Sequence, residues 1–151
     1  MISPEQFLSH WQAHRRLTRR TIEAFPEDQL FTFSIGGMRP FGVLVMELIG
    51  TGVPFVEGAL TGSWNPGKDY DARPKAELLR LWDEDTERID ALWPQISTER
   101  FGEAVTAFEQ WPGSVTDFFL YALDNEIHHR GQGYVYLRAL GIDPPPFYDR
   151  S

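Results

Sequence analysis

The residues best suited to chemistry in this 151-residue chain lie in two stretches. The first is Asn125-Glu126-Ile127-His128-His129, inside a run whose apolar residues recur at helical spacing. On a wheel of about 100° per residue, Val115, Phe118, Phe119, Ala122, Gly133, Tyr136, Leu137 and Leu140 share one face. His129 falls near the centre of that face, Asn125 lies about 40° to one side and Glu126 on the other flank. His128 points about 100° away, toward the surface or a neighbour. Polar groups on such a face must be satisfied internally, because an unpaired buried donor or acceptor costs about 1–3 kcal/mol.

The second stretch is Phe41-Gly42-Val43-Leu44-Val45-Met46-Glu47-Leu48-Ile49, where Glu47 is the only ionisable group among apolar neighbours. A carboxylate there needs a cation, a metal or hydrogen-bond donors. Histidine and carboxylate on facing helices are the material of metal sites in bundle cores. A core histidine hydrogen-bonded to a glutamate on the next helix needs no metal, and the residue types alone leave both readings open. His10 and His14 form a further i, i+4 pair, which the adjacent Trp11 and arginines assign to packing and surface roles. No serine-nucleophile elbow, phosphate-cradling glycine loop or dinucleotide fingerprint is present.

Four helices are expected to position these groups. Ser3 caps a first helix, with Pro4 at its first turn, that runs until Pro26 stops it. A second spans roughly residues 40–60, with Gly50, Gly52 and Pro54 expected to kink or break its second half. A polar connection over residues 61–74 leads to a third helix, about 74–93. Residues 96–108 read as a loop or a short extended piece, and Trp111-Pro112-Gly113 as a turn. Ser114, with Asp117 three residues on, caps a last helix that Gly141 and Pro144-Pro145-Pro146 end near Leu140. Gly131 and Gly133 would let a neighbouring helix come close. The expected fold is all-α: one domain over residues 1–151, a four-helix bundle with a long crossover connection between the second and third helices.

Composition narrows the function classes. The chain has no cysteine, so disulfides, thiolate ligands and a cysteine nucleophile are excluded. A net charge of −8 opposes a nucleic-acid backbone, and Arg15, Arg16, Arg19 and Arg20 read as a solvated helix face. The most apolar stretch, residues 41–50, falls short of the roughly 20 residues a membrane span needs, and no leader pattern stands at the N-terminus. A cytoplasmic location follows as the expectation.

The segment Asn125-Glu126-Ile127-His128-His129-Arg130-Gly131-Gln132, followed by Tyr136-Leu137-Arg138 and Leu140-Gly141, resembles the DinB/YfiT-like family. His10-Trp11, Met38-Arg39 and the closing Pro145, Pro146 and Tyr148 extend the resemblance over nearly the whole chain. It implies a four-helix bundle, often dimeric, with a zinc- or nickel-type site. Its pattern takes one histidine from the second helix and two from a His-x-x-x-His on the last. Carried over by position these are Glu47, Asn125 and His129, and only His129 keeps the residue type. Glu47 remains a competent ligand, whereas Asn125 offers a neutral amide oxygen, so the set is weaker and harder. Glu126, His128 and His14 are the supporting or alternative groups. The resemblance implies a metal-dependent enzyme that activates water or a low-molecular-weight thiol against a small electrophile. The alternative is a non-catalytic, small-ligand-binding or stress-response dimer with a degenerate site.

Overall fold

The computed structural model describes residues 2–151. Four helices carry it: α1 (Pro4–Ala24), α2 (Phe41–Thr61), α3 (Lys75–Leu92) and α4 (Val115–Ala139). Both serine caps read from the sequence form capping boxes. Ser3 and Gln6 exchange side-chain and backbone hydrogen bonds at α1, as do Ser114 and Asp117 at α4; each box satisfies two otherwise orphaned donors.

The expected break in α2 does not occur, and the helix is continuous over 21 residues. Its glycines serve packing instead. A Cβ at Gly52 would lie 3.1 Å from Asp85 Oδ2 and 3.2 Å from Ile89 on α3. With mean hydropathy 1.6 over its most apolar window, α2 is long and apolar enough to cross a membrane, contrary to the sequence expectation. Yet 56% of that window is buried inside the structure, as in the central helix of a bundle. Gly133 also acts as expected, since a Cβ there would meet Phe41 at 2.6 Å. Gly131 does not: it faces open space.

α2 packs against both α3 and α4, and α1 against the same two helices. Residues 62–74 turn back along α2. Gly67 abuts the Gly50 carbonyl, and Ala72 N–H reaches Met46 Sδ at 3.1 Å. α3 therefore begins beside the start of α2, where Leu78 and Trp82 join Phe25, Phe41 and Leu44 in one apolar cluster. At the other end Phe7, Trp11, Phe55, Ile89, Trp93 and Phe119 form a second. Burying side chains of this size stabilises the fold by about 1.5–3 kcal/mol each.

The all-α expectation is incomplete, and the short extended piece read within residues 96–108 is a strand at its end. Ala104–Ala107 (β1) and Trp111–Ser114 (β2) pair antiparallel, Ala104 opposite Ser114 and Ala107 opposite Trp111. The turn lies at residues 108–110 rather than at Trp111-Pro112-Gly113, with Phe108 and Glu109 at positive φ. Non-glycine residues seldom adopt that conformation, so no turn signature marked it.

A buried polar layer bridges α1, α3 and α4. Arg15, expected on a solvated face, is 1% exposed. It pairs with Asp85 at 2.8 Å and its guanidinium lies 3.9 Å from the Trp82 ring centroid. Arg19 bonds Asp83 and Arg20 bonds Asp149, so the cluster ties α1 to α3 and to the C-terminal tail.

Candidate metal or ligand site

α2 and α4 run against each other, and their facing turns bring Glu47, Asn125 and His129 together. His129 Nε2 lies 3.2 Å from Glu47 Oε1, and Asn125 Nδ2 donates to the same oxygen at 3.4 Å. Adjacent ligand atoms at about 2.0–2.1 Å from a tetrahedral ion stand roughly 3.3 Å apart, so the His129–Glu47 spacing is that of a coordination edge, whereas Asn125 turns its amide N–H, not its oxygen, toward Glu47. Among the described residues no three His, Cys, Asp or Glu side chains cluster as a metal-binding group. This set has two such donors and one amide.

Two neighbours that the sequence reading named only within motifs complete the site. Gln132, one turn beyond His129, accepts from Nδ1 at 2.8 Å, while its amide nitrogen faces Met38 Sδ at 3.4 Å. In this orientation Nδ1 carries the ring proton, the outer-shell arrangement that fixes a ligating histidine. With this tautomer the Nε2 lone pair faces a carboxylate oxygen and a cation fits between them; with the other, Nε2–H donates directly to Glu47 and no cation is needed. That is how far the donor set fits a divalent ion. Arg39, in the loop before α2, binds the other Glu47 oxygen. The i, i+3 spacing of Gln132 was a usable signal; no spacing rule could link Arg39 to Glu47.

Glu47 is not enclosed by apolar neighbours as its sequence context suggested. Its side chain is 36% exposed at the edge of the helix pair. Burial raises its pKa, but bonds from Arg39 and His129 outweigh that and hold it below the usual carboxylate value. Glu47 and Arg39 line a cavity of about 350 Å³ closed on its far side by Lys68, Asp69 and Tyr70 of the α2–α3 connection. Thr51, one turn along α2, also borders an aromatic cavity of about 500 Å³ walled by Phe55, Phe108, Trp111, Phe118 and Tyr121.

The alternative residues lie elsewhere. Glu126 is fully enclosed on the α1 side, accepting from Trp11 Nε1 at 3.1 Å and Thr18 Oγ1 at 2.6 Å. Burial raises its pKa, opposed by Arg15, Thr18, Arg130 and Trp11. One position along a helix turns a side chain by about 100°, so Glu126 cannot stand in for Asn125. His128 is exposed. His14 accepts from Arg130 at 2.8 Å, and its pKa is lowered to about 3 by burial and by the cations Arg130 and Arg150.

A family model described as the DinB family matches residues 53–151. An uncharacterised Bacillus subtilis protein, YjoA, is 24% identical over 99% of each chain. The crystal structure of YjoA, described as DinB-like, superposes with a TM-score of 0.80 at 23% identity, covering 97% of this chain and 99% of that one. A DinB-like protein from Bacillus cereus gives 0.78 at 19% identity, covering 95% and 97%. A point mutant of a mycothiol-dependent maleylpyruvate isomerase gives 0.67 at 13% identity, covering 87% of this chain and 61% of that one.

Proposed function

Because the chain belongs to the DinB family, we propose that it is a metal-dependent enzyme in which Glu47, Asn125 and His129 hold a divalent cation. In this reading the four helices form a bundle with α2 and α3 joined by a long crossover, and the protein works as a cytoplasmic homodimer. The observation that carries the proposal is the 3.2 Å approach of His129 Nε2 to Glu47 Oε1, with Nδ1 tied to Gln132.

When bound, a zinc- or nickel-type ion supplies Lewis-acid activation of water or of a low-molecular-weight thiol toward a small electrophile. Gln132 orients the imidazole. Glu47 contributes the negative charge, and Arg39 spreads positive charge over the mouth of the adjoining cavity, where it suits an anionic substrate group. Resemblance to a thiol-dependent isomerase supports the thiol alternative to water.

A second reading has its own support. The guanidinium of Arg39 already sits on Glu47, supplying in place the positive charge that a metal would bring. On that reading the site is a non-catalytic small-ligand pocket, and Glu47 and His129 are a hydrogen-bonded pair. Metal analysis of untagged protein decides between the two. Near-stoichiometric metal, lost in both Glu47→Ala and His129→Ala, supports the enzyme. No metal after incubation with zinc, nickel and manganese leaves the ligand-binding reading.

A further inference from the structure

On the opposite side of α4 from Glu47, a cavity of about 390 Å³ opens between α1, α4 and the C-terminal tail. The tail is fastened to α1 by two arginines. Arg16 Nε donates to the Arg150 carbonyl at 3.2 Å, and Arg20 holds Asp149 by both its carboxylate and its carbonyl. This docking sets the Arg150 side chain in the cavity wall opposite His10, His14, Arg130 and Tyr134.

The polar atoms gathered there are donors short of acceptors. Arg150 Nε is buried without a hydrogen-bond partner, and Arg150 makes no ion pair among the described residues. The Tyr134 hydroxyl, close to Thr21, is buried and makes no hydrogen bond of normal geometry. His14 accepts from Arg130 at Nδ1, so its proton resides on Nε2. His10 packs edge-on against His14, ring centroids 4.7 Å apart.

No carboxylate lines the cavity. Glu126 stands behind Arg130 at 3.7 Å and is occupied by Trp11 and Thr18, while Asp149 is taken by Arg20. A positive pocket on a chain of net charge −8 is a local reversal of field. Buried unpaired donors cost free energy that an incoming acceptor recovers, and guanidinium groups match the planar or tetrahedral oxygens of carboxylate and phosphate. A metal shared by His10 and His14 is disfavoured by the same cations.

We propose that this cavity binds a small oxyanion, held by Arg150, Tyr134 and the His14 Nε2–H, with any apolar body lying against Ile127 and Phe147. The site is separate from the Glu47–His129 cluster and does not depend on what that cluster does.

The test is calorimetric titration of the full chain with inorganic phosphate and with benzoate, at constant ionic strength set by chloride. Saturable binding of at least one probe is expected, weakened at least tenfold by Arg150→Gln and severalfold by Tyr134→Phe, and unchanged by Arg39→Gln. Binding of phosphate alone identifies a phosphate group as the ligand, and binding of benzoate alone a carboxylate. The proposal is overturned if neither probe saturates, or if binding survives both Arg150→Gln and Tyr134→Phe. Loss of binding in Arg39→Gln instead would place the anion at the other site and equally overturn it. Arg150 lies in the tail, and Tyr134→Phe removes one oxygen, so thermal melts verify that both variants remain folded.

Discussion

His129 on α4 and Glu47 on α2 approach to 3.2 Å, while each is held from behind by a different partner, Gln132 and Arg39. The pair is thus fixed in orientation before anything binds, which limits the reorganisation needed to accept a cation.

Asn125→His is the sharpest probe of that arrangement. It replaces a neutral amide, 3.4 Å from Glu47 Oε1, with an imidazole one turn before His129. Zinc or nickel affinity measured by calorimetry is expected to rise at least tenfold, on the order of 1.4 kcal/mol or more. Unchanged affinity would show that the three positions do not act on one ion.

Arg39→Gln separates the two readings of the site. Removing the guanidinium from Glu47 releases the carboxylate for metal, so affinity rises if a cation binds there. If the pocket instead takes an anionic ligand through Arg39, the same variant loses that ligand and gains no metal. Paired titrations with zinc and with a small carboxylate distinguish these outcomes.

Gly131 and Gly133, on different faces of α4, should respond to substitution in opposite directions. Gly133→Ala places a methyl group 2.6 Å from a fully buried Phe41 and is expected to destabilise by about 1–3 kcal/mol. Gly131→Ala meets open space at ordinary helical φ and should stabilise by up to about 1 kcal/mol through helix propensity. Urea denaturation of the two variants checks both signs.

His14 gives a pH dependence of defined sign. Its pKa falls from 6.5 unfolded to about 3 folded, because burial and the cations Arg130 and Arg150 oppose its charging. Its contribution to stability is therefore present above pH 6.5 and is lost as pH falls toward 3. Asp85, raised by burial from 3.8 to about 6, works the other way, favouring the fold more as pH falls between those values. His14→Gln retains an acceptor for Arg130 and removes the titration. The melting temperature of wild type minus that of His14→Gln is expected to shrink steadily from about pH 7 to about pH 4. A pH-independent difference would contradict the assignment.

Much of the fold was legible from short-range chemistry. Ser3 announced an N-cap and Ser114 a capping box, Pro26 and Gly141 the stops, and the apolar period of residues 115–140 the buried face of α4. These signals act within a few residues, where backbone hydrogen bonding and side-chain spacing are set by the local sequence alone. The same spacing placed His129 in the core and marked Glu47 as a residue in need of a partner.

What tertiary structure decided is which groups face one another. Pro54 and the glycines argued for a broken α2, but packing against α3 and α4 outweighs the local cost of a single helix. Four adjacent-looking arginines read as one solvated face, yet Arg15 turns inward because Asp85 and Trp82 on another helix receive it. The hairpin turn at Phe108 and Glu109 carries no turn residues and is held by strand pairing and aromatic contacts. At the candidate site the chain by itself specified an imidazole and an amide one turn apart on one helix and a carboxylate on another, largely apolar one. Only the packing of α2 on α4 brought the carboxylate to the two α4 groups and set Arg39 behind it. The physical reason is that local periodicity determines which face of a helix is buried, whereas the partner of each buried polar group is chosen by long-range packing.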